Sequence, residues 1–485
     1  MFRSGPVLLT LICLFSFAPG ARALELEDCR ISAGPSYPSL KARCATLERL
    51  ENPDDPASAP IALRVVVVPA LNLKPEADPV VPLAGGPGQS AVQFYAAYAQ
   101  AFEPLRRDRD ILLVDQRGTG ESARLDCPAE DALVEGAYST AQTLQYTEEC
   151  LAALPHDPRF FTTSVAVRDL EAVREALAYP SLNVYGVSYG TRVAQHYARR
   201  YPANTRTVIL DGVVPPSLPL GPEIALESQR ALDSIFARCG EDAACNERFG
   251  DIAKTFADLK TKLERKAVRI KTADPVTGEY TSVSFGRNEM AAAVRLLAYS
   301  PQTISMIPLL ISEAGDGNYR PLIAQFQMTL SSLSESLALG MHNAVMCTED
   351  TPYYDDTLID LDALRDSYMG PMQLEALEAI CSVWPKGQID DDLRTPLSTD
   401  TPVLLLSGTA DPITPPRYAD MAARNLHKAW LLTGKHQGHG QLAVGCMPRL
   451  IDEFVRQESL EGVDTDCFTH SFVMPFFLDF AGPAP

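Results

Sequence analysis

Basic residues are scarce in this chain. Its 485 residues include 42 Lys and Arg against 62 Asp and Glu, a formal net charge of −20. That balance excludes a surface built to hold nucleic acid phosphates. Metal-binding patterns are missing too: there is no Cys-x-x-Cys and no His-Glu-x-x-His, so no metal is expected. No repeat is visible, and past the N-terminus no apolar run reaches membrane-spanning length. What remains, 46% hydrophobic and 21% charged, is the composition of a globular protein. The length exceeds one simple core, so two domains are expected.

Residues 1–23 read as a signal peptide. Arg3 supplies the positive start, Val7 to Phe17 the apolar stretch, and Ala21-Arg22-Ala23 a small-x-small cleavage site. Export, to the exterior or the periplasm, agrees with the cysteines. Eleven are present, and once Cys13 leaves with the signal the other ten fall into five close sequential pairs. The expectation is a disulfide in each pair: Cys29 with Cys44, Cys127 with Cys150, Cys239 with Cys245, Cys347 with Cys381, and Cys446 with Cys467.

Along the chain, strand-like runs alternate with helical spacing. Residues 61–70, 78–90, 109–122, 182–187 and 205–216 carry strand patterns. Residues 164–179 place Val165, Leu170, Val173 and Leu177 on one helical face. This alternation predicts a mostly parallel, doubly wound sheet with helices on its faces. It lapses over residues 217–399, which are mainly helical in pattern, as at 224–239, 252–268 and 290–298. The strand pattern returns at 401–415 and 428–440, before a helix at 442–457. The expected organisation is therefore a core, 24–216 and 400–485, interrupted by a helical cap or lid, 217–399.

The junction Gly186-Val-Ser188-Tyr-Gly190 lies where a strand must turn abruptly into a helix. Such a turn strains the central residue and crowds its neighbours, which suits glycine on either side. It also lifts a serine hydroxyl beside a helix N-terminus. Serine needs a base. In this architecture the carboxylate and then the base follow the serine in sequence, each just past a strand. Asp411 and His439 meet both conditions. His439 would accept the Ser188 proton, and Asp411 would hold the imidazole tautomer. His436 is the competing base and Asp211 the competing acid; Asp115 precedes the serine, and Asp400 precedes its strand. The amide of Tyr189 and that of Gly86, in the turn Gly85-Gly86-Pro-Gly88, are expected to stabilise an oxyanion. Arg117, in the Asp-Gln-Arg-Gly-Thr-Gly stretch, is expected to pair with buried acids beneath the site.

Taken together, GGPGQS, DQRGTGES, GVSYGT, GTADPITP and GHG, in this order, resemble the proline iminopeptidase and tripeptidyl aminopeptidase branch of the α/β-hydrolases. AVMCTED, CSVWP and the late cysteines look like the secreted TAP-like members. The chain departs from the usual His-Gly-Gly-Pro-Gly in having Ala84 where the histidine stands. The resemblance implies an α/β-hydrolase fold with a helical lid inserted between two late strands. It implies a serine hydrolase that removes short units from peptide N-termini, with no cofactor. Peptides with a free N-terminus are the expected partners. Such an enzyme must recognise an ammonium, and residues 341–399 hold twelve Asp or Glu against three Lys or Arg. Glu349, with Asp350 second, is the expected amine anchor; a solvated acidic surface is the alternative. A secreted carboxylesterase or lipase would use the same triad.

Overall fold

The computed structural model describes residues 24–34, 37–127, 139–275, 277–355, 357–471 and 473–483. The expected signal peptide lies outside them. The strands are β1 Glu27–Ile31, β2 Leu40–Leu50, β3 Pro60–Val68, β4 Val80–Leu83, β5 Ile111–Val114, β6 Leu182–Val187, β7 Thr205–Asp211, β8 Val268–Ala273, β9 Tyr280–Phe285, β10 Val403–Gly408 and β11 Ala429–Gly434. Nine of them form one sheet in the order β1-β2-β3-β5-β4-β6-β7-β10-β11. The first three strands enter antiparallel, and every pairing from β5 to β11 is parallel.

The sheet is buried on both faces, and the residues divide by alternation. Val65, Val67, Val81, Leu112, Val184, Leu210 and Leu405 join one apolar cluster. Their neighbours Val66, Val68, Val80, Leu113, Tyr185, Ile209 and Leu406 join the other. Successive side chains of a strand point to opposite faces, so an all-apolar strand needs cover on both. On the first face the cover includes helices Thr163–Ala176, Tyr189–Arg200 and Pro416–Ala423; on the second it includes Ala91–Tyr98 and Met447–Gln457. The last helix turns Leu450, Ile451, Phe454 and Val455 inward, the spacing of a one-sided apolar stripe.

Between β7 and β10 the helices Ile224–Glu241, Ile252–Arg265, Arg287–Leu297, Ile307–Gly315 and Arg320–Ser336 surround a separate apolar cluster. This region differs from the sequence expectation in two ways. It contains the antiparallel hairpin β8–β9, whose exposed positions break the helical spacing and whose Val-Arg-Ile-Lys-Thr alternation suits a strand. It is also not one body: Met341, Ala344, Val345, Cys347, Cys381, Trp384 and Leu397 pack into a cluster of the sheet itself. Conversely, Ala410 and Ile413, from the loop after β10, belong to the helical cluster.

All ten cysteines of the described chain pair sequentially, Cys29–Cys44, Cys127–Cys150, Cys239–Cys245, Cys347–Cys381 and Cys446–Cys467. No helix among the described residues is long and apolar enough to cross a membrane. The Cys347–Cys381 bridge closes a separation of 34 residues. Replacing both cysteines with serine should cost about 2–4 kcal/mol; urea denaturation of the two proteins side by side measures the difference.

Candidate active site

Ser188 follows β6 directly and opens helix Tyr189–Arg200 with φ 56° and ψ −126°, a region that non-glycine residues rarely occupy. The flanking glycines explain how the chain tolerates this. A Cβ on Gly186 would overlap the carbonyl of Gly190, and one on Gly190 would overlap the carbonyl of Leu83 at the end of β4. The turn closes only because both positions lack a side chain. Ser188 is partly exposed, whereas Val187 and Tyr189 are buried.

The other groups arrive from neighbouring strand ends. The parallel register sets Val187 beside Asp211, Asp211 beside Leu406, and Gly408 beside Gly434. The loops that follow β6, β7, β10 and β11 therefore leave from one rim of the sheet. Asp411 lies three residues past β10 and His439 five residues past β11. There His439 Nδ1 stands 2.8 Å from Asp411 Oδ2, and the imidazole lies over Gly212, where an added Cβ would come within 2.9 Å of Cε1.

Asp411 is held from several sides. The amides of Ile413 and Thr414 donate to Oδ1 at 2.9 and 2.8 Å, and the Thr414 hydroxyl donates to Oδ2 at 2.8 Å. The same hydroxyl lies 3.1 Å from His439 Nδ1. Burial alone would favour neutral His439, but the charge and hydrogen bond of Asp411, helped by Asp211, outweigh it and hold the imidazole above its ordinary value; the charge of Arg295 opposes them. Above the ring sits Tyr299, edge-on with centroids 5.3 Å apart, and its carbonyl accepts from the His439 amide at 2.7 Å.

The competing residues have other partners. His436 is half-buried, and its amide donates to Thr409 Oγ1 at 2.8 Å. Asp211 accepts from the amides of Gln441 and Leu442 and from the Tyr185 hydroxyl, and burial raises its pKa to about 6. It braces the loop that carries His439. Asp400 is exposed beside His427. Asp115 accepts from Ser90, Val92 and Glu121, which joins the DQRGTGES loop to the helix after the glycine turn. Arg117 is fully buried, grips Asp169 through two hydrogen bonds of 2.7 and 3.0 Å, and caps the carbonyls of Leu50, Glu51 and Phe160.

The Gly85-Gly86 turn lies against the serine. A Cβ on Gly85 would stand 3.0 Å from that of Ser188. Tyr189 is the first residue of its helix, so its amide has no partner within the helix. Its hydroxyl is tied down below, 2.6 Å from Thr163 Oγ1 and accepting from Gln116 at 3.1 Å. The turn is also clamped from the far side. The Ala338 amide donates to the Gly88 carbonyl at 3.0 Å, Leu337 bridges to Gln89, and the His342 ring stands 3.2 Å from the Pro87 carbonyl.

Glu349 and Asp350 are not where an amine anchor must be. Both are fully buried in the turn Met346–Asp350, with partners inside the protein. Asp350 receives both terminal nitrogens of Arg192 at 2.8 and 2.7 Å and the Leu220 amide at 2.7 Å. Glu349 accepts from the amide and hydroxyl of Thr163 at 2.7 and 2.8 Å. Arg394 adds hydrogen bonds to the carbonyls of Glu349 and Ser217. Carboxylates so committed are closed to a substrate ammonium and form no solvated surface, whereas Asp355, Asp360, Asp362, Asp366, Glu375 and Glu378 of the same segment are exposed. The role of Glu349 and Asp350 is to tie the helix behind Ser188 to residues 217–220 and 346–350. Burial raises Glu349 to about 7, against the charge of Arg192.

Two neighbours of the imidazole escaped the sequence reading. Thr414 had a readable signal, a threonine three residues after an aspartate in a loop beyond a strand. Tyr299 had none, because it stands one residue past a helical stretch with nothing to set it apart.

Residues 78–245 match the family described as alpha/beta hydrolase fold, and residues 366–467 match the family described as TAP-like protein. The chain is 27% identical over 480 residues to serine protease Hip1 of Mycobacterium tuberculosis, covering 89% of this chain and 88% of that protein. It is 25% identical over 430 residues to tripeptidyl aminopeptidase of Streptomyces coelicolor, covering 81% and 76%. A solved proline iminopeptidase of Mycobacterium smegmatis aligns with a TM-score of 0.39 at 16% identity, over 86% of this chain and 99% of that one.

Substituting Asp350→Asn leaves Arg192 buried without its bidentate partner and should cost about 3–5 kcal/mol. Glu349→Gln should act differently. Folding raises this carboxyl above its ordinary 4.5, so the native state binds the proton more tightly and the site loses stability as pH rises from 4.5 toward 7. The Gln variant should lack that part of the pH dependence, read from denaturation midpoints at pH 5 and pH 8.

Proposed function

We propose that this chain, which belongs to the TAP-like serine peptidases of the α/β-hydrolase fold, is an exported exo-acting aminopeptidase. It releases short N-terminal units, tripeptides or proline-containing residues, from peptides. The observation that carries the reading is the Asp411–His439 hydrogen bond at the sheet rim onto which the Ser188 turn opens.

In this reading Ser188 Oγ attacks the scissile carbonyl as His439 Nε2 takes its proton. Asp411 keeps the proton on Nδ1 and stabilises the imidazolium. The oxyanion is met by the amides of Gly86 and Tyr189, a donor pair in which each member is worth about 3 kcal/mol in the transition state. His439 returns the proton to the leaving amine, and an acyl-enzyme remains on Ser188. Water, activated by the same imidazole, releases the acyl unit. Export is supported by five disulfides, which persist in oxidising compartments. The exo preference is supported by the named activity of the Streptomyces relative and by the helices inserted beside the His439 loop.

A peptidyl nitroanilide and its N-acetylated twin separate the readings. The aminopeptidase should cleave the free peptide and reject the blocked one; equal turnover of both would favour the carboxylesterase. Ser188→Ala should abolish fluorophosphonate labelling in either case. The acid limb of kcat/KM should lie above the ordinary imidazole value of 6.5, because activity needs the neutral base and Asp411 favours the cation. Asp411→Asn should lower kcat on the order of 10⁴-fold and move the limb to lower pH, as a pH–rate profile of each protein would record.

A further inference from the structure

Buried arginines in this protein are paired. Arg109 meets Asp78, Arg117 meets Asp169 and Arg192 meets Asp350. Arg295 is half-buried and has no ion pair among the described residues, and one ring, Tyr299, separates it from the His439 imidazole. It projects from helix Arg287–Leu297, four residues before Tyr299 and therefore on the same side. Its Nη2 donates to the Tyr299 hydroxyl at 3.2 Å, and its Cζ lies 5.8 Å from that ring's centroid. The same ring packs edge-on against His439. The backbone after it is pinned to the His439 loop, leaving no room for a Cβ on Gly438 against the Tyr299 carbonyl.

The charge of Arg295 acts on both sides of the site. It disfavours protonation of His439, and also of His342, whose ring stands against Pro87 in the glycine turn. Its charge is thus felt at the base and at the histidine behind the glycine turn. Its Nε is buried without a hydrogen-bond partner, and among the described residues no Asp or Glu pairs with it. In a chain with 62 acidic residues, a cation without a counter-ion at this place is open to one from outside. A carboxylate is the group that two adjacent N–H donors of a guanidinium fit best.

We propose that Arg295 receives a carboxylate of the substrate, either the free C-terminus of a short peptide or an acidic side chain next to the scissile bond. The proposal rests on the aminopeptidase reading and sharpens it. The preferred substrate carries an ammonium at one end and a carboxylate within reach of the cap, so charge as well as length decides what is cleaved.

Two peptide pairs with free N-termini distinguish the sources. One pair differs only in a C-terminal carboxylate or carboxamide; the other is amidated and carries Glu or Gln beside the scissile bond. The wild type should favour the carboxylate member of one pair by about tenfold or more in kcat/KM, the scale of a charged hydrogen bond. Arg295→Gln should bring that ratio close to one, with Arg295→Lys in between; a role confined to packing Tyr299 would lower both members equally and leave the ratio intact. Dialanine with a free N-terminus should also compete with the nitroanilide about tenfold more strongly than its amide does, a measurement that needs no variant; equal competition by both counts against Arg295. A ratio near one in both wild-type pairs, or a ratio that survives in Arg295→Gln, overturns the proposal. Fluorophosphonate labelling of wild-type Ser188 runs alongside: labelling with a ratio of one removes only the role of Arg295, and no labelling removes the hydrolase reading itself.

Discussion

The arrangement depends on the bidentate contact between Arg192 and Asp350. Arg192 sits one turn into the helix that Ser188 begins, and its guanidinium points into the interior. A charge there is tolerated only with a partner of opposite sign and good geometry. Asp350 supplies it from within the inserted region, while Glu349 reaches Thr163 at the start of another core helix. Four groups, Arg192, Arg394, Glu349 and Asp350, thereby join the helix that follows Ser188, residues 217–220 and 346–350 of the insertion, and the helix that starts at Thr163. Such a pair adds little net stability over well-packed apolar residues. What it does is position: the inserted helices meet the sheet in one way, because any other would strand a charge.

The chemistry is assembled by register rather than by proximity in sequence. Ser188, Asp411 and His439 are spread over half the chain, yet β6, β7, β10 and β11 are neighbours in the sheet and run the same way. At this rim stand the strained serine, the brace Asp211 at the end of β7, and the carboxylate and imidazole of Asp411 and His439 from the loops after β10 and β11. The helical insertion then contributes Tyr299 and Arg295 from above. Electrostatics at the imidazole is a contest between Asp411 with Asp211 on one side and burial with Arg295 on the other.

Much of this was legible from residue order. The strand over residues 182–187 and the glycines on either side of Ser188 were readable, because a tight turn leaves a local and distinctive trace. The sequential cysteine pairs were readable for the same reason. Glu349 and Asp350 were misread because an acidic run looks the same in solvent and in the interior; what decides is Arg192, 158 residues from Asp350. The hairpin β8–β9 was hidden among strong helical patterns. The antiparallel entry β1–β2 carries mixed polar and apolar positions, having one edge free, and so lacks the continuous apolar run of the central strands.

The segment 337–342 hangs on the glycine turn by Ala338, Leu337 and His342. Segment and turn are thus mechanically one part. A displacement of this segment would therefore pull on the glycine turn that lies against Ser188.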